Sequence, residues 1–296
     1  MKTDASLTQS AAVLSIVVAA ILIVIKGFAW ADSDSTSVLA SFADSSLDII
    51  VSLINFFAIR LAFAPADKEH PFGHGKAESL AALMQSAFIA GSAFVLLLHA
   101  GERLLQPQQI QSLGNATAVM TTSLILTILL VLYQRWVYRQ TASLAVKADS
   151  AHYVGDILAN AAVLVALFAA QVGIIWLDPV VALLIVITLL KSAYDIAKES
   201  LDMLMDHSLD PEVAEKIKSL VSQNSHIIDC HDIKTRQSGN VQFIQVHLDF
   251  SAEIPLHVAH DAGEWLVAKI LLDYPRADVL IHHDPVTVHA LDHLNA

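Results

Sequence analysis

Ala43-Asp44-Ser45-Ser46-Leu47-Asp48 and Asp149-Ser150-Ala151-His152-Tyr153-Val154-Gly155-Asp156 are the two stretches that decide the fold. Each lies within a long apolar run, yet each carries a donor pair at i, i+4: Asp44 with Asp48, and His152 with Asp156. That spacing puts both members of a pair on one helix face. An ionisable residue at the centre of a bilayer costs at least about 2.5 kcal/mol, so four in matched pairs need a purpose. Three carboxylates and one imidazole make an O3N set, which suits tetrahedral Zn2+ and tolerates other divalent ions. At about 1.5 Å per residue from the span ends, the two pairs come to similar depth. Asp149, at the start of its span, is read as a helix cap.

The surrounding composition agrees. The chain has 296 residues, 55% hydrophobic and only 16% charged, with a mean hydropathy of +0.57. A soluble domain carries about 25% charged residues, so an ordinary soluble enzyme is excluded. The net charge of −12 excludes a sequence-independent nucleic-acid binder. Cys230 is the single cysteine and forms no intramolecular disulfide or CxxC pair. Six runs long enough to span a bilayer cover about 10–31, 38–63, 78–100, 116–138, 149–172 and 176–197. The run before Ala29-Trp30-Ala31 exceeds a signal-peptide core and is read as a retained first span. Arg60, Lys68, Lys76, Arg135, Arg139, Lys147 and Lys198 fall on one side, predicting both termini in the cytoplasm. Lys26 and Lys191, near span ends, are read as snorkelling to the interface. Ten of the fourteen histidines, with 6 basic and 15 acidic residues, fall in 201–296, and the domain boundary is placed at 206/207.

Asp44-x3-Asp48 paired with His152-x3-Asp156, six spans and an acidic, His-rich tail resemble the cation diffusion facilitator family of zinc transporters. Asp67 to Lys76 and His231 to Gly239 strengthen the likeness, which covers essentially the whole chain. The resemblance implies that Asp44, Asp48, His152 and Asp156 form the transport site. It further implies a homodimer in the bacterial inner membrane that exports Zn2+ and related divalent cations in exchange for protons, with no organic cofactor.

The second connection reads Asp67-Lys68-Glu69-His70-Pro71-Phe72-Gly73-His74-Gly75-Lys76. Pro71, Gly73 and Gly75 break any helix, leaving Asp67, His70 and His74 on a turn-rich inner loop. This D-x2-H-x3-H set offers three ligands and an open fourth position, and resembles the second, interfacial metal position of the family.

After residue 207 the pattern becomes that of a soluble module. Asp210-Pro211-Glu212 opens a helix through about Ser222. Strands are predicted at about 228–237 and 241–250, joined by Ser238-Gly239-Asn240, then a helix over about 256–273 and a strand from Asp278 to Asp284. The fold class is thus an α-helical polytopic membrane protein of six transmembrane helices with a C-terminal cytoplasmic α+β domain. Its αββαβ order resembles the metallochaperone-like domain of the family. A symmetric hairpin loop places His231 opposite His247, with Cβ atoms about 5 Å apart. His282 and Asp284 share one strand face, and His260 on the second helix is placed to complete a second ion's shell. The resemblance implies a paired-metal site from His231, His247, His260, His282 and Asp284; because bound metal would neutralise part of the acidic tail, its role is read as structural or regulatory. His283 faces the other way, Cys230 is read as core, and His207, His226, His257, His289 and His293 as surface.

The reading is a proton-coupled divalent-metal exporter. A membrane-embedded metal-dependent enzyme is the rival, but no HExxH occurs and the four donors already close a tetrahedral shell. A metal sensor is the other; it needs no membrane carboxylates.

Overall fold

Six long helices turn the usual soluble pattern inside out. They are α1 (Lys2–Ser33), α2 (Thr36–Ala62), α3 (Lys76–Leu105), α4 (Gly114–Thr141), α5 (Leu144–Gln171) and α6 (Leu177–Leu204). The structure is a computed structural model and describes residues 2–33, 36–105, 114–171 and 177–286. Between the helices lie small and polar side chains: Thr8, Ser15, Ser45, Ser52, Asn55, Ser79, Gln85, Thr127 and Gln134 are all buried. Outward stand Phe28, Leu47, Ile50, Phe57, Phe94, Leu98, Leu129 and Ile187. Small buried residues let helix backbones approach closely, the packing mode used where lipid supplies no hydrophobic drive between helices. Among the described residues, five helices, α1, α2, α3, α4 and α6, are long and apolar enough to cross a membrane. α5 is 28 residues long and carries Lys147, Asp149, His152 and Asp156 in its first half.

The start of α5 is fixed with care. Ala142 takes φ 52, a left-handed turn between α4 and α5. The buried Glu78 at the head of α3 then accepts a hydrogen bond from Ser143 Oγ and another from the backbone N–H of Ala145 (3.2 Å). Glu78 thereby satisfies the orphan N–H of Ala145, while Ser143 Oγ accepts from the Val146 N–H at 3.3 Å. At the other end of the site, Gly155 allows α6 to approach: a Cβ there would sit 3.0 Å from Leu189 Cδ2.

The chain separates into two compact units, Met1–Leu201 and Asp202–Ala296. The second contains α7 (Pro211–Val221), β1 (Asp229–Ser238), β2 (Val241–Ser251), α8 (Leu256–Asp273) and β3 (Ala277–Val286), the αββαβ order read from the sequence. Asp210 caps α7, accepting from the Glu212 backbone N–H at 3.0 Å, with Pro211 at the first helical position. The sheet runs β1-β2-β3, antiparallel then parallel. Period-two alternation along β2 sends Ile244, Val246, Leu248 and Phe250 into one core with Val213, Ile217, Leu266 and Ile270 of the helices. The opposite face carries Phe243, Gln245, His247 and Asp249.

His283 joins the helix-side layer, as its parity predicts, with its ring stacked on Phe250 at 5.3 Å. A Cβ on Gly263 of α8 would lie 2.7 Å from His283 Nε2. Gly263→Ala is therefore expected to force α8 and β3 apart, destabilising this unit by about 1–3 kcal/mol. Hydrogen exchange of the full-length protein reads this as faster exchange across α8 and β3; unchanged protection there would refute it.

Candidate metal centres

The membrane site is built from α2 and α5. Asp48 is buried on α2, and its Oδ1 accepts from His152 Nε2 at 3.0 Å; Asp156 Oδ2 lies 3.9 Å from the same nitrogen. One donor atom from each of Asp48, His152 and Asp156 falls within 4.8 Å of the others. That is the cluster a single ion can replace by pulling each donor toward itself. Asp44, one turn earlier on α2, stays outside this triplet and more exposed, but it interacts electrostatically with Asp48 and His152. Tyr153 fixes the neighbouring backbone: its ring is fully buried and its hydroxyl bonds Ser52 Oγ at 3.0 Å.

Asp149 is not a helix cap. It lies inside α5, beyond the first turn, and is buried. Its carboxylate accepts from Ser15 Oγ (2.6 Å, α1), Gln85 Nε2 (2.9 Å, α3) and Gln134 Nε2 (2.7 Å, α4). Three helices are thus tied to α5 one turn below His152. Cap and clasp look alike in sequence, because the difference lies in three donors distant along the chain. Gln85 and Gln134 each place an amide in a largely apolar stretch, but nothing in the sequence links either of them to Asp149.

The inner loop gathers its predicted set. Asp67 Oδ1 accepts from the backbone N–H groups of His70 (2.6 Å) and Glu69 (2.9 Å), and its other oxygen lies 3.3 Å from His74 Nε2. The imidazoles of His70 and His74 have centroids 4.5 Å apart. Gly73, at φ 79, makes the turn that brings His74 back. The His70 backbone N–H holds the Asp67 carboxyl below the usual carboxylate range.

On the open face of the sheet the donors form two rows. His231, His247 and His282 are neighbours across the three strands, with ring centroids 5.1 and 4.6 Å apart. Asp229, Asp249 and Asp284 form the next row. His247 Nδ1 donates to Asp284 Oδ2 at 2.8 Å, holding Asp284 below the usual carboxylate range. His282 Nε2 lies 3.1 Å from Asp284 Oδ1 and His231 Nε2 3.5 Å from Asp284 Oδ2. Asp284 therefore has both oxygens engaged, one by each side of the row. His260, exposed on α8, is not among the donors that converge there. Asp249 is the residue the sequence reading missed; its Oδ1 is 3.4 Å from His231 Nε2, and its position two after His247 was the signal. Cys230 is buried, which pushes its thiol up and fits a core residue. His289 and His293 lie outside the described residues.

Comparison with known proteins covers most of the chain. The sequence pattern of the cation efflux transmembrane domain matches residues 12–205, and that of the cation efflux protein cytoplasmic domain matches residues 209–286. The chain belongs to the cation efflux family. It is 43% identical over 274 residues to the cation-efflux pump FieF of Shewanella oneidensis, with 93% of each chain covered. The pump of the same name from Serratia proteamaculans is 43% identical over 284 residues, covering 96% of this chain and 95% of its own. That from Citrobacter koseri is 43% identical over 287 residues, covering 97% and 96%. The likeness to cation diffusion facilitators read from the residues is thus a membership of the cation efflux family, and the integral membrane fold goes with it.

Proposed function

We propose that this cation efflux protein exports divalent metal, chiefly Zn2+ and also Cd2+ and Fe2+, in exchange for protons by alternating access. The observation that carries this is the convergence of Asp48, His152 and Asp156 inside the helical unit. Asp44, on the same face of α2, closes the shell when the ion arrives. The relatives are cation-efflux pumps, which supports outward transport. The distribution of basic residues supports an inner-membrane orientation with both termini and residues 207–296 in the cytoplasm. The protein works as a homodimer, and the His231/His247/His282/Asp284 cluster holds structural or regulatory metal. Asp67, His70 and His74 form a separate inner-loop site.

Proton coupling follows from charge. Three carboxylates with a neutral imidazole carry −3, and a divalent ion leaves −1. Returning an empty −3 site through a low-dielectric region is unfavourable, since uncompensated buried charge is costly. Metal ligands must be deprotonated, so loading releases protons and unloading takes them up. Purified protein in liposomes is expected to take up Zn2+ faster when the vesicle interior is more acidic than the bath, and to acidify the bath as it does so. Zn2+ uptake indifferent to the gradient would leave a uniporter, and absence of uptake would remove the transport reading.

A further inference from the structure

Lys26 does not run to the interface. Its ammonium turns from α1 toward α2, donating to Ser45 Oγ at 2.6 Å and to the Ser41 carbonyl at 3.3 Å. Ser45 is fully buried and adjoins Asp44. The approach is made possible by Gly27, where a Cβ would lie 3.2 Å from the Phe42 ring, and by the stack of Trp30 on Phe42 at 6.0 Å. The charge acts on two members of the donor set on two different helices, Asp44 of α2 and Asp156 of α5. Ser45 and the Ser41 carbonyl are neutral. Among the described residues, the carboxylates that feel this ammonium are therefore those of the transport site.

We propose that Lys26 is a tethered counter-cation of the transport site, which weakens divalent metal binding and speeds metal release. This rests on the reading of Asp44, Asp48, His152 and Asp156 as that site. In the empty protein the ammonium reduces the site's charge from −3 to −2. Once a dication is bound, the same ammonium is a like charge beside it. It therefore stabilises the empty site, at −3, more than the loaded one, at −1, and a carrier needs that bias because an ion held too tightly limits turnover. Ser45 holds the ammonium on the Asp44 side, keeping it near the ion without making it a ligand.

The test is Zn2+ titration calorimetry on full-length solubilised protein carrying His74→Ala and His247→Ala to silence the loop and tail donors. Lys26→Met is expected to bind Zn2+ about tenfold more tightly or better, since removing a unit charge near a dication removes repulsion in a medium less polar than water. Lys26→Arg should match the parent, and Ser45→Ala should fall between. In liposomes Lys26→Met should show a lower KM and a lower maximal rate together. A structural defect weakens binding, so a gain in affinity separates the two causes, and Lys26→Gln supplies a second neutral variant should Met misfold. Equal affinity in the parent and both neutral variants, or weaker binding in them, overturns the proposal. A parent with no Zn2+ binding that Asp48→Ala abolishes overturns the site assignment itself, and the proposal with it.

Discussion

Asp48→Ala should lower Zn2+ flux at least about a hundredfold while leaving a folded protein. Asp48 is the buried member of the membrane triplet and the one whose oxygen meets His152 at 3.0 Å. Without it, His152 and Asp156 remain 3.9 Å apart with Asp44 outside the cluster, three donors where a tetrahedral ion takes four. Loss of a group that merely orients a ligand typically costs 10–100-fold in metal affinity, and loss of a ligand costs more. The fold should survive because Asp48 is not a member of the Asp149 clasp, and its removal unburdens the interior of a charge. Flux in liposomes measures the effect, with size-exclusion profile and thermal unfolding as controls. Near-normal flux from a folded Asp48→Ala protein would end the assignment of this site.

The membrane architecture was legible because two signals do not depend on long-range contacts. Run length identifies a span, and i, i+4 spacing identifies a face. Hence Asp48, His152 and Asp156 were found together from local pattern alone, whereas Asp44 was grouped with them by periodicity and lies outside the converged triplet. The roles of Asp149 and Lys26 were not legible. Each residue looks ordinary in its own helix, and its meaning comes from Gln85, Gln134 and Ser15, or from Ser45, at separations that periodicity does not reach.

The tail shows a correct pairing reached through an incomplete geometry. A symmetric three-residue loop at 238–240 predicts that partners sum to 478, which sets His231 against His247. The hairpin instead turns on Gly239 and Asn240, with Ser238 paired to Val241, so the register near the turn is one residue off. A bulge between His231 and Lys234 restores it, with Asp232 at φ 48. Without that extra residue His231 would change faces and leave the metal row. Asp tolerates the left-handed conformation better than most residues, and Lys234 Nζ donates to its carboxylate at 2.7 Å. Sequence alternation alone does not reveal such a compensation.

Asp149→Ala should destabilise the membrane unit by about 3 kcal/mol or more, and Asp149→Asn should not. In the alanine variant Ser15, Gln85 and Gln134 lose a common acceptor in a buried place. Each buried donor left without a partner costs about 1–3 kcal/mol, partly relieved for Ser15, which also reaches the Ala11 carbonyl at 3.0 Å, and for Gln134, whose Nε2 also donates to Ser15 Oγ at 2.9 Å. Asparagine changes the balance in a different way. Its Oδ1 still accepts one bond, while its amide nitrogen needs an acceptor of its own. Gln85 Oε1 and Gln134 Oε1 are both buried without a hydrogen-bond partner, so reversing either amide turns an unpaired oxygen toward that nitrogen. The asparagine network then closes with fewer orphaned groups, and the removal of a buried carboxylate offsets what is lost. Thermal unfolding of the solubilised protein in the absence of metal measures both variants. Zn2+ flux should follow stability, because the clasp anchors α5 one turn from His152 and only the alanine variant frees that turn to move. Wild-type stability in Asp149→Ala, or equal damage in Asp149→Asn, would show that these four helices are held together by other contacts.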